Sequence, residues 1–122
     1  MNISPTDVSV VAASAIGGCL ATAVAFNAVT GKPASVIAGN WRKYFWSIVF
    51  ASPALVLFQL TMPLALTLLI LIGWLIVAPS VAAKFVFGSK DAEWSFLFML
   101  HSAYAFTTLA GILLLNKALG IG

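Results

Sequence analysis

His101 is the single histidine in the chain, and it lies in an apolar run, so it is the one side chain that could join metal ligation to an intramembrane setting. At helical spacing it shares a face with Tyr104, Thr108 and Gly111, a narrow polar stripe on an otherwise apolar helix. An imidazole so placed is a candidate axial ligand for haem iron or chlorophyll magnesium, with Gly111 leaving room for a flat macrocycle. A b-type haem would take its second ligand from a partner or from another copy of the chain. The competing reading is a hydrogen bond that links two helices, with Asn27 as partner because the two residues are expected at similar depth. The linking reading is preferred, and no cofactor is expected.

Other reactive arrangements are missing from the sequence. Cys19 has no second cysteine to pair with, and there is no Cys/His cluster with metal spacing. No glycine-rich phosphate loop and no facing pair of carboxylates occurs; Asp91 and Glu93, two residues apart in a polar connection, suit a solvated helix start. Ser14, Ser47, Ser52 and Ser102 lack a base in any recognisable motif. No catalytic residue is assigned, and an enzyme is not expected. The net charge of +3 comes from six scattered Lys and Arg, which form no basic stripe for nucleic acid.

The elements that would position His101 are read from hydropathy. The composition is 62% hydrophobic and 7% charged, against about a quarter charged in a soluble domain. From Tyr44 to Ala83 no charge occurs, a run that as one helix would be roughly 60 Å long, about twice the hydrocarbon core of a bilayer. The break belongs in Gln59–Pro63, where Pro63 disfavours helix at Met62. Spans are therefore predicted at 8–29, 44–60, 63–83 and 94–115: an all-α bundle of four transmembrane helices forming a single domain over residues 1–122. Three spans, or a re-entrant middle pair, are the alternatives. A cleaved signal peptide at the start is disfavoured, since Asp7 stands where Lys or Arg would be expected. Thr30–Pro33 ends the first helix, Ala34–Asn40 reads as a loop, and Pro53 and Pro79 predict kinks.

Ala13, Gly17, Ala21 and Ala25 recur every four residues, with Ser14, Gly18 and Thr22 in the next row. The first row is predicted to pack against another helix, because close approach along small residues is the main source of association in lipid. Trp41, Arg42, Lys43 and Trp94 read as membrane-surface anchors, a cluster that could also meet an anionic headgroup. Asn27, Gln59, Tyr104 and Thr108 are the polar intramembrane residues. Five cations (Lys32, Arg42, Lys43, Lys84, Lys90) fall on one side of a four-span chain and Lys117 on the other, which orients both termini to the non-cytoplasmic side of a cell membrane, with a bacterial inner membrane the expected type.

No Asp, Glu, Lys or Arg falls mid-span, whereas coupled transport places an ionisable group near the midplane. The functional expectation is thus a non-catalytic accessory subunit or assembly factor of a larger membrane complex, with lipid and other transmembrane subunits or copies of itself as partners. The alternative is a homo-oligomeric channel, a holin-like pore-former pooling Asn27, Gln59, His101 and Thr108, or a small transporter. A haem- or chlorophyll-bearing subunit is third.

Overall fold

A computed structural model of the chain describes residues 3–86 and 91–119. Those residues are helices and connections, with no strand among them. Helix α1 (Pro5–Thr30) starts before the predicted boundary because Ser4, Pro5 and Asp7 build its N-terminus. The Asp7 amide donates to Ser4 Oγ and the Ser4 amide to Asp7 Oδ2, each at 3.1 Å, a reciprocal cap that satisfies donors otherwise left open. It ends at Gly31, whose φ of 73° lets its amide fold back to the Asn27 carbonyl at 2.9 Å. One turn, α2 (Ser35–Ala38), occupies the predicted loop.

The predicted second span is not one helix. It divides into α3 (Trp41–Ala51) and α4 (Ala54–Leu57), parted at Ser52–Pro53. Pro53 has no amide to offer the Val49 carbonyl; Ser52 takes that carbonyl instead, through its hydroxyl at 2.7 Å and its amide at 3.2 Å. Among the described residues three helices, not four, are long and apolar enough to span a membrane: α1, α5 (Leu64–Phe85) and α6 (Trp94–Leu119). Pro63 caps α5 as the sequence implies, and Pro79 lies within that helix without ending it.

The α3–α4 segment nevertheless runs the length of the bundle. Its start adjoins the C-terminal part of α1, where Tyr44 packs with Phe26 and Ile37. Its end, at Ala54, Phe58 and Gln59, borders a cavity of about 370 Å³ shared with Asp7 and Val10 at the start of α1 and with Ile112 and Asn116 late in α6. The chain therefore makes four lengthwise passes, and the beginning of α1 and the end of α6 lie together.

α1 and α6 form the main seam, antiparallel and in a tight register. Ser14 sits in the space at Gly111, while Tyr104 and Thr108 fill the space at Gly18; a Cβ on Gly18 would collide with Thr108 Oγ1 and stand 2.9 Å from the Tyr104 carbonyl oxygen. Val10, Val11 and Ala15 join Ala105, Leu109 and Ile112 in the core, completed by Leu71 and Leu75 of α5. The small row used inside the bundle is accordingly Ser14, Gly18 and Thr22, the neighbour of the predicted one. Ala13 is exposed, Ala21 and Ala25 are half-buried, and nothing lies within 4 Å of a Cβ built on Gly17. The reason is what borders each row. Ile16, Leu20 and Val24 stand outward beside Ala13 and Gly17, whereas compact Ala15 and Cys19 border Gly18 and admit α6.

Candidate functional site

His101 lies roughly 10 Å along α6 from Trp94. Its Nδ1 is 2.7 Å from the hydroxyl of Ser80 on α5, which has no exposed surface. The same hydroxyl donates to the Ile76 carbonyl at 2.6 Å. A serine has one proton to give, so with that proton on Ile76 the Nδ1–H of His101 is the donor and Nε2 keeps its lone pair. The histidine thus links helices, and its partner is Ser80.

Asn27 is not that partner. Its side chain donates to the Lys32 carbonyl at 2.8 Å and closes the end of α1, an exposed position facing away from α6. Expected depth fixed how far along each helix the residues sit but not which way they turn. The signal for Ser80 was present in the sequence as one of the few polar groups in the third apolar run.

The stripe that His101 heads faces three different neighbours. Tyr104, buried, donates its hydroxyl to the Ser47 carbonyl of α3. Thr108 is fully buried against α1; its hydroxyl and that of Ser14 have no hydrogen-bond partner and lie over glycines. Gly111 holds Ser14, so it leaves no room for a macrocycle. Gln59 stands at the opposite end of the bundle from His101, in the turn before α5.

On the other side of His101 a lateral groove of about 800 Å³ opens between α3 and α5, floored by α1 and α6. The Trp74 indole of α5 donates to the Phe50 carbonyl of α3 at 2.8 Å, and Tyr104 of α6 donates to the Ser47 carbonyl of α3, so long aromatic side chains reach α3 from two helices, while buried Ala51 of α3 joins Leu71 and Leu75 of α5 in the core. Cys19 and Thr22 of α1 and His101 of α6 face the interior, Trp46 and Phe50 form one wall, Pro79 and Ala83 the other, and Asn40, Arg42 and Lys43 stand at the open end. Among the described residues no Asp or Glu lines it.

The surface anchors gather at this same end. The Arg42 guanidinium is 5.9 Å from the Trp41 ring, which is 70% exposed. Lys84 lies 5.0 Å over the Trp94 ring and donates to the Ala92 carbonyl. Lys90 lies outside the described residues. With one imidazole, one buried thiol and no carboxylate, the groove has the makings of a binding site and lacks a nucleophile–base–acid set; no group of three His, Cys, Asp or Glu comes together among the described residues. The chain matches no protein-family model, no curated protein and no solved structure.

Proposed function

We propose that the protein is a non-catalytic integral membrane protein serving as a structural or accessory subunit of a larger membrane complex. It crosses four times, with both termini on the non-cytoplasmic side of a cell membrane. The observation that carries this reading is the open face at Gly17: α1 has two small-residue rows, α6 fills one, and the other is uncovered at Ala13 and Gly17 in a helix long and apolar enough for lipid. A neighbouring transmembrane helix would meet this face over the exposed Ile16, Leu20 and Val24, with Gly17 taking its side chains. The four crossings are supported by the lengthwise course of α3–α4, and the orientation by Lys32, Arg42, Lys43 and Lys84 at one end.

The pore-former reading has less support, since Asn27, Gln59, His101 and Thr108 face different neighbours and line no common path. The pigment reading retains His101 in the lining of the groove and loses the space expected at Gly111.

Gentle detergent extraction followed by native electrophoresis and mass spectrometry tests the proposal. Wild type should migrate with a different transmembrane polypeptide, and Gly17→Leu should release it while remaining folded. A pure homo-oligomer would favour the channel, and a band that absorbs in the visible would favour the pigment.

A further inference from the structure

The groove beside His101 has the shape and charge of a site for one particular kind of molecule. Its interior is apolar along Phe26, Trp46, Phe50, Leu97 and Leu100, and its open end carries Arg42 and Lys43, with no acidic side chain in the lining among the described residues. Lys84, at the same end, is already held by the Ala92 carbonyl and the Trp94 ring. Arg42 and Lys43 are both exposed, in the first turn of α3. Two adjacent cations at the start of a helix place positive side chains where the helix's own partial charge is also positive, an arrangement that an anion at that point relieves. The volume is within the range of roughly 300–1,000 Å³ typical of ligand sites, and the lateral opening faces where acyl chains would lie.

We propose that this groove is a binding site for one anionic phospholipid drawn from the leaflet at the Arg42–Lys43 end. The phosphate lies between the Arg42 guanidinium and the Lys43 ammonium, each a charge-assisted donor to its oxygens. An acyl chain runs inward between Trp46 and Phe50 on one wall and Pro79 and Ala83 on the other, toward His101. The site occupies the groove bordered by α3, α5 and α6. It depends on insertion in a bilayer and is independent of which subunit, if any, binds α1.

The test is native mass spectrometry of the full-length protein from micelles containing equal amounts of phosphatidylglycerol and phosphatidylcholine with identical chains. Wild type should retain one phosphatidylglycerol with a preference of roughly thirtyfold, the scale expected of two interfacial cations. Arg42→Gln with Lys43→Gln should abolish the preference, and Lys32→Gln, which removes a cation outside the groove at the same end, should keep it. Ala83→Trp, which fills the groove and leaves both cations, should also lose the bound lipid, with thermal unfolding confirming that the variant is folded. Retention of both lipids equally by wild type would overturn the proposal, as would equal loss in the Lys32 variant, which would reduce the effect to general surface charge. Equal thermal stabilisation by inorganic phosphate alone would also overturn it, since the apolar walls would then contribute nothing.

Discussion

The seam between α1 and α6 and the groove between α3 and α5 are made from helices of similar composition, yet one is closed and the other open. At the seam, Gly18 and Gly111 remove side chains where the partner helix arrives, so Thr108 and Ser14 rest almost on backbone. Beside the groove α3 is reached by Trp74 of α5 on Phe50 and by Tyr104 of α6 on Ser47, and Ala51 packs into the core with Leu71 and Leu75. With no hydrophobic drive in lipid, interhelical distance is set by the size of the residues at the crossing. Small residues close the α1–α6 seam, and the groove opens where large aromatic residues, Trp46 and Phe50, line the wall.

The largest expected effect comes from closing that difference at the seam. Gly18→Leu should destabilise the fold by about 3 kcal/mol, the upper part of the range for overpacking, because the Tyr104 carbonyl cannot move aside as a flexible side chain would. Gly17→Leu, one residue away, should leave thermal unfolding in micelles unchanged, since its added atoms meet nothing in the chain. Matching losses in the two variants would break the distinction between filled and open rows.

Trp74→Phe at the groove should cost about 1 kcal/mol, the scale of a single polar contact between membrane helices, and loosen α3 from α5. Faster hydrogen exchange around Phe50 is the readout, and an unchanged rate would mean that α3 is held by packing alone.

His101 offers a smaller effect. His101→Leu should lower stability by ~1 kcal/mol or less, because Ser80 keeps its bond to Ile76, and His101→Gln should be milder still. No visible absorption band is expected in wild type; a band that vanished in both variants would assign the imidazole to a cofactor. The smallest effect belongs to Ser14→Ala. Its hydroxyl is buried without a partner, so the substitution should shift stability by no more than about 0.5 kcal/mol in either direction. A large loss would show that the hydroxyl is engaged at Gly111 more strongly than a weak Cα–H contact allows.

How much of this was legible in the sequence varied with the kind of question. Length and hydropathy placed α1, α5 and α6, and Pro63 marked the start of α5 within a residue. The division of the second segment turned on Ser52 beside Pro53: proline alone predicts a kink, and the serine that satisfies the freed carbonyl converts it to a break. Rotation about a helix axis was less legible. Two small rows on α1 differ by one residue in register, and only the bulk of Ile16, Leu20 and Val24 beside the outer row tells them apart. The same uncertainty in rotation sent His101 toward Asn27 and away from Ser80. The groove could not be read at all, since it depends on which side chains meet at the crossings of three helices.

The central proposal is that the chain passes through the membrane four times, although three helices among the described residues are long and apolar enough to do so unaided. Single cysteines at Ile3, Ser35 and Thr61, all exposed and placed in a Cys19→Ala background, test it directly through an impermeant thiol reagent on intact cells. Labelling of the Ile3 and Thr61 positions, with Ser35 reached only after permeabilisation, is the predicted result. Grouping of Thr61 with Ser35, opposite Ile3, would mean that α3–α4 dips into the bilayer and returns, and the four-pass account would be wrong.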